Sequence, residues 1–381
     1  MPTYRPTRVL VAGGGVAGLE TVLALQALAG DRLQIELLAP GRHFTYRPLA
    51  VAEPFHSGSV QRIPLAAIAD DRGVRLHRDA LARVLSDESA IETQDGTRLD
   101  YDALVLALGA RPVEGVPGAL TFRGPQDAGR VAEIVERLRH GTLRRIAFAV
   151  PSGTSWALPL YELALQTAAA VRGAARPAEL VLLTPEPAPL AVFGDAATAG
   201  VGDVLEERGI RVSTGTMVEE YDGTRLRLRG GGSLEADTVI ALPRLVGPRV
   251  PGVPSDPAGF VPVDELTRVI GLDGIHAVGD IAAHWHKQGG LAAQQADLAA
   301  TMIAAAAGAP VRPLPYRPIL RGLLLTGGEV RYLRNDPHRG SEASGEPLWW
   351  PPVKVMGRHL APYLAAHLDL DARLQPASAA R

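Results

Sequence analysis

No cysteine occurs among the 381 residues. That absence removes disulfides, thiolate nucleophiles, redox dithiols and cysteine-held zinc or iron–sulfur centres, so any chemistry here is thiol-free. An excess of one charge is also lacking: 39 Lys and Arg stand against 41 Asp and Glu, giving a net charge of −2. This leaves no overall electrostatic footprint for nucleic acid. Long hydrophobic runs are missing too. The most apolar later stretch, Leu298 to Ala309, is mostly alanine and well short of the roughly 20 residues that span a bilayer. Met1 to Arg8 lack the order of charged region, apolar core and small-residue cleavage site of a secretory signal. The expected setting is cytoplasmic, soluble or peripheral to a membrane. Gly (41) and Pro (31) stay below the share that marks low-complexity disorder. The length suits two to three domains at roughly 150 residues each.

What is present begins with a strand, a glycine turn and a helix. Val9 to Ala12 is a buried-strand run, Gly13 to Gly18 is glycine-rich, and Leu19 to Leu28 is an Ala/Leu helical stretch. A second strand is expected at Leu33 to Leu38, completing a unit of βαβ size. The Gly13/Gly15/Gly18 pattern has a physical reason at each position, which are in turn a tight bend, close approach of backbone to a pyrophosphate, and close packing of helix on strand. The following helix start, with Val16 and Ala17, points N–H groups at the phosphates. The acid that usually accepts from the adenosine ribose is missing, because Ala39 occupies its place and Glu36 is out of phase. Arg42 or backbone is left to hold the ribose.

The two halves of the chain also look alike. Asp95-Gly96-Thr97-Arg98-Leu99 precedes the strand Ala103 to Leu108, and Asp222-Gly223-Thr224-Arg225-Leu226 precedes the strand Asp237 to Leu242. The offsets are 127 for the turns and about 135 for the strands. Two related α/β domains are implied.

The stretches Tyr101 to Pro112 and Gly274 to Asp280 complete a resemblance that covers nearly the whole chain. The sequence resembles two-dinucleotide-binding-domain FAD flavoproteins of the glutathione-reductase fold, within the pyridine nucleotide-disulfide oxidoreductase superfamily. The first stretch is similar to their strand ending in Ala-Thr-Gly, with Leu108 where Thr is usual; the resemblance implies cofactor contacts from Ala107, Gly109 and Arg111. The second is similar to their Gly-Asp motif, here Gly279 and Asp280, whose aspartate holds the FAD ribityl chain. Tyr161-Glu162, Thr184-Pro185-Glu186-Pro187 and Gly200 to Asp203 resemble the sulfide:quinone reductase and flavocytochrome c sulfide dehydrogenase branch, with type II NADH dehydrogenases nearby. Without cysteines, the persulfide route of that branch is excluded.

The fold implied is α/β, with two Rossmann-like domains and a C-terminal interface region. The expected FAD domain is discontinuous, over 1–116 and 239–310, with a degenerate NAD(P)-binding-like domain at 117–238 and the interface region at 311–381. In the second domain the strand Arg145 to Val150 runs into Pro151-Ser152-Gly153-Thr154-Ser155-Trp156, where proline and tryptophan replace the glycines a nicotinamide dinucleotide needs. The resemblance places Glu162 near the flavin as a proton relay; otherwise it is a carboxylate in a helix's first turn. Arg47, in His43 to Pro48, is the residue there most able to bring charge to the flavin or substrate. The segment Lys287 to Gln295 resembles the helix start facing the flavin pyrimidine edge, with Gly290 and Leu291 as contacts. Gln294 and Gln295 are either an acceptor-pocket lining or ordinary surface amides. His276, His284 and His286 lack the further ligands a metal site needs.

At the C-terminal end, Met356, Leu360, Tyr363, Leu364, His367 and Leu368 form a helical stripe interrupted by Pro362. It is suited to packing on the flavin domain, pairing two subunits as a homodimer, or contacting a membrane surface. Gln375 to Arg381 read as a frayed end.

The function expected is an FAD-dependent oxidoreductase passing electrons from a small donor to a quinone-like acceptor. An NAD(P)H dehydrogenase with an atypical second site is the rival enzyme, and a scaffold with decayed redox activity is the rival from another class.

Overall fold

The computed structural model describes residues 5–367; the expected frayed end and Leu368 lie outside them. A first parallel sheet runs in the order Ile275–Ala277, Ala103–Leu106, Thr7–Ala12, Leu33–Leu38, Arg75–His77. Thr7–Ala12 is central because its last four residues are buried on both faces, as a strand covered by helices on each side requires. Leu33–Leu38 starts with alternating burial and becomes fully buried at its end. The helix Val16–Ala29 lies on this sheet and packs along Gly289–Ala306, where buried alanines such as Ala24, Ala296 and Ala300 allow close approach.

A second parallel sheet repeats the plan in the order Leu120–Thr121, Thr238–Ala241, Arg145–Ala149, Glu179–Leu183, Ile210–Ser213. Each sheet carries a three-stranded antiparallel meander: Leu81–Leu85, Ala90–Thr93, Arg98–Asp100 in one half and Val218–Tyr221, Arg225–Leu228, Ser233–Glu235 in the other.

The meanders correct the register of the internal repeat. Asp95-Gly96 joins the second and third strands of its meander, whereas Asp222-Gly223 joins the first and second of the other. The turn equivalent to Asp95-Gly96 is Gly230-Gly231-Gly232, and the offset is then 135 through both the meander and the following strand. The two Asp-Gly strings are alike because tight hairpins select the same residues, not because they occupy the same place.

The chain leaves and re-enters the first unit through a two-stranded ribbon, Arg111–Val113 against Arg244–Val246. Thr238–Ala241 sits in the second sheet beside Arg145–Ala149, so the crossing back comes after this strand rather than near Val239.

The C-terminal part is an antiparallel sheet, Leu320–Leu324, Arg331–Asp336 and Gly340–Ser344, followed by the helix Leu360–His367. The apolar stripe faces inward. Leu360, Tyr363 and Leu364 are buried, and the helix lies against Val16–Ala29. The Glu20 carboxylate accepts the N–H groups of His359 and Leu360, each at 2.7 Å, and so caps this helix from a distant element. Pro362 does not interrupt the helix: it lies in the first turn, where its missing N–H has no intrahelical partner to lose. Among the described residues no helix is long and apolar enough to cross a membrane.

Candidate functional site

A cleft of 670 Å³ opens at the carboxyl ends of the first sheet's strands, where parallel sheets of this kind bind ligands. Gly13, Gly15, Val16, Ala17, Ala107, Gly109, Gly279 and Asp280 all line it, together with Ala39 at the end of the second strand. The three fingerprint glycines are required for different reasons. A Cβ on Gly13 would stand 2.2 Å from the Ala107 carbonyl oxygen, and one on Gly18 would stand 1.8 Å from the Gly13 carbonyl oxygen. Both are forced by packing, and Gly18 does not line the cleft. Gly15 does line it, and a Cβ there would have nothing within 4 Å, so packing does not demand its bareness.

Several expected contacts lie elsewhere. Arg42 and Arg111 are exposed and line neither this cleft nor its neighbour, Arg111 being part of the crossing ribbon. Glu36 is turned to His77, at 2.5 Å. The second cleft-facing helix begins at Gly289, one residue before the expected contacts; Gln288, Gly289 and Ala292 line the cleft, while Gly290 and Leu291 do not. The Leu291 N–H is taken by Gln288 Oε1 at 2.7 Å. Gln295 accepts the Gly279 N–H at 2.7 Å, and Gln294 accepts from and donates to the backbone of Ile319. Both glutamines are therefore internal struts, neither surface amides nor pocket lining.

Asp280 is half-buried, and its carboxylate makes no hydrogen bond among the described residues. Burial raises its pKa, opposed by the charges of Lys287 and Arg47. An orphaned carboxylate on the wall of a cleft is suited to accept from the hydroxyls of a sugar-like chain. Lys287 is buried, its Nζ donating to the Ala282 carbonyl and lying 3.8 Å from the centroid of the Phe260 ring. Burial draws its pKa down to about 8, with Asp280 and Asp256 opposing.

On another wall, Glu162 Oε1 accepts the Leu325 N–H at 2.9 Å and meets Lys354 Nζ at 2.5 Å, with side chains 1% and 7% exposed. Glu162 Oε2 is buried without a partner. Glu162 comes from the helix Leu158–Ala170, and Lys354 from the segment after Pro352, whose Val355 N–H donates to Tyr46 Oη at 3.1 Å. Burial pushes the Glu162 pKa up and the Lys354 pKa down, each opposed by the other's charge. One proton shared between these two groups can be released or accepted at the cleft wall.

A second cavity of 550 Å³ adjoins the first, and Arg47, Pro48, Trp156, Pro159 and Lys287 line both. Its wall includes the loop Gly153 to Trp156 that follows the second sheet's strand Arg145–Ala149. Trp156 is held edge-on against Phe193, ring centroids 5.6 Å apart. The three histidines are dispersed: His276 bonds Thr267, His286 approaches the Ser155 carbonyl, and His284 lines the second cavity.

The two lysines were not singled out from sequence, although the signal was there. Of the 39 Lys and Arg residues only Lys287 and Lys354 are lysine, and both are buried at the cleft. In a chain that uses arginine everywhere else, burial draws both of these ammonium groups below the ordinary lysine value.

Residues 7–306 match the family described as Pyridine nucleotide-disulphide oxidoreductase. The chain is 29% identical over 299 residues to an NADH dehydrogenase-like protein of Mycobacterium tuberculosis (strain CDC 1551 / Oshkosh), covering 73% of each. It is 27% identical over 364 residues to the demethylphylloquinone reductase NdbB of Synechocystis, covering 87% of each. In fold it is similar to the sulfide:quinone oxidoreductase of Aquifex aeolicus, with a TM-score of 0.79 and 21% identity, covering 89% of this chain and 86% of that one. It is also similar to NDH2 of Plasmodium falciparum in complex with NADH, with a TM-score of 0.68 and 13% identity, covering 96% and 95%.

Proposed function

The chain belongs to the pyridine nucleotide-disulphide oxidoreductase family and is an FAD-dependent oxidoreductase, and on that premise we propose that it passes electrons from a small donor to a quinone-like acceptor, with the Glu162–Lys354 pair handling the acceptor's proton. The observation that carries this reading is the buried pair itself, set on the cleft wall with one carboxylate oxygen unpartnered. We divide the chain into a cofactor unit on the first sheet, an inserted unit on the second, and a C-terminal region that contributes Lys354.

The cleft suits FAD in three respects. Gly15 leaves backbone open to a pyrophosphate, the start of Val16–Ala29 presents N–H groups to it, and the orphaned Asp280 is placed for the ribityl hydroxyls. Bound there, FAD supplies two-electron chemistry between a donor and an acceptor that need not meet. Glu162 and Lys354 would hold a proton at Oε1 or Nζ and exchange it with an acceptor oxygen, burial pushing the carboxyl up and the ammonium down and so bringing the two groups closer in proton affinity. Arg47 and Lys287, shared by both cavities, would offset negative charge where the cavities join.

NADH as donor is the second reading, favoured by the NADH dehydrogenase-like relative. Against it, Glu186 beyond the strand Glu179–Leu183 is turned inward, accepting from the Tyr161 and Thr184 hydroxyls at 2.8 Å each. No residue from that strand's end lines the second cavity among the described residues.

Anaerobic mixing of the purified protein with NADH, NADPH and quinols, followed by quinones, tests the proposal through the visible flavin band. It requires bleaching by a small donor and recovery with a quinone. Recovery with no quinone would overturn it.

A further inference from the structure

We infer that the second cavity binds a flat, singly anionic small molecule, an aromatic or conjugated carboxylate, with the anion held between Arg123 and Arg47 and the body against the aromatic walls. This rests on the two-cavity reading above and names what the cavity beside the cofactor cleft takes.

The walls are mainly apolar and flat-sided. Phe122, Trp156, Phe260 and Trp285 reach them from four separate segments, and such faces suit a planar ligand. Three cations, Arg47, Arg123 and Lys287, line the cavity against one carboxylate, Asp256. Lys287 is already balanced by Asp280 and Asp256. Among the described residues Arg123 has no ion-pair partner, its guanidinium donating to the Thr121 carbonyl at 3.4 Å, and Arg47 has no carboxylate within ion-pair distance, acting on Asp280 from farther off. A planar guanidinium left unpaired at the edge of an apolar pocket is a carboxylate receptor.

Two further groups await a ligand. Thr154 Oγ1 and His284 Nε2 are buried without hydrogen-bond partners, on residues that line the cavity. Burial and Lys287 hold His284 below its ordinary pKa, so the ring is neutral and offers a hydrogen bond rather than a third free charge. A dinucleotide fits less well, because the inward-turned Glu186 gives no purchase for its adenosine half.

Benzoate, its uncharged analogue benzamide, and ADP-ribose are the probes, titrated into FAD-loaded protein without turnover. The readouts are perturbation of the flavin band and the melting temperature. Benzoate should saturate with both readouts, benzamide should bind roughly tenfold more weakly or less, and ADP-ribose should not compete. Arg123→Gln should weaken benzoate roughly tenfold with FAD content unchanged, and Arg123→Lys should restore part of the loss. Equal binding of benzoate and benzamide, displacement of benzoate by ADP-ribose, or no benzoate binding to the loaded protein would each overturn the inference. Flavin recovery with quinone, measured on the same preparation, reports separately on the function proposed above.

Discussion

Lys354 Nζ and Glu162 Oε1 meet at 2.5 Å across 192 residues of sequence, a buried contact that ties the segment after Pro352 to the helix Leu158–Ala170 at the wall of the 670 Å³ cleft. A pair of this kind is weak evidence for stability, but removing either partner is costly, because each charge alone is expensive to bury.

Lys354→Met should therefore destabilise the fold by about 3–5 kcal/mol at neutral pH, since it leaves a carboxylate without its cation. The loss should shrink in acid. Without Lys354, burial alone raises the folded-state pKa of Glu162 above its ordinary 4.5, so the folded protein binds more protons than the unfolded chain. Stability then falls as pH rises above the ordinary value, by up to about 1.4 kcal/mol per unit until the raised pKa is passed. Denaturant melts of the variant at several pH values between 5 and 8 check this, and Glu162→Gln added to Lys354→Met should flatten the profile.

Gly15 and Gly18 should respond differently to substitution. Gly15→Val places a β-carbon in open space in the cleft, so the protein should fold, melt near the temperature of FAD-free wild type and contain no FAD. Gly18→Ala drives a methyl group against the Gly13 carbonyl and should lower stability by more than about 2 kcal/mol whether or not FAD is present. Melting curves with and without added FAD separate the two behaviours.

Asp297 is pushed up to about 8 by burial, reinforced by the neighbouring Glu20, the carboxylate that caps the Leu360–His367 helix. Its folded-state pKa exceeds the ordinary 3.8, so its contribution is fully present below that value and is lost as pH rises toward 8. Asp297→Asn should make the protein more stable than wild type at pH 8, with the advantage shrinking toward pH 4. Equal pH dependence of the two melting temperatures would sink this account.

Much of the first sheet was legible because its signals are local. A buried run, three spaced glycines and a second strand at Leu33 to Leu38 follow from neighbours in sequence. The Asp-Gly strings misled because turn chemistry repeats wherever a hairpin closes, and only strand pairing separates one hairpin from the next. Gln294 and Gln295 were ambiguous for a similar reason: their partners, Ile319 and Gly279, are fixed by packing and not by helical spacing. Lys354 follows Trp349-Trp350-Pro351-Pro352 with no motif around it, and its meaning comes from Glu162, which only the tertiary fold brings near. The scarcity of lysine was the one clue available beforehand.

Trp156 should set donor preference, because it lines both cavities and occupies the loop a dinucleotide would cross. Wild-type protein should be reduced by NADH or NADPH only weakly, without saturation at micromolar concentrations. Trp156→Ala, with Pro151→Gly and Thr154→Gly, should strengthen NAD(P)H binding as the steric block is relieved. Saturable micromolar reduction of the wild type in stopped-flow would show that the loop is no obstacle.

The most direct measurement is the pH dependence of quinone-driven flavin recovery. Photoreduced, FAD-loaded protein is mixed anaerobically with a water-soluble quinone, comparing wild type with Glu162→Gln. The account predicts saturable recovery in the wild type, with a rate that titrates with pH, and recovery in the variant slowed by roughly 100-fold with that titration gone, the range expected for loss of a general acid–base group. Identical rates and identical pH profiles in the two proteins would contradict it.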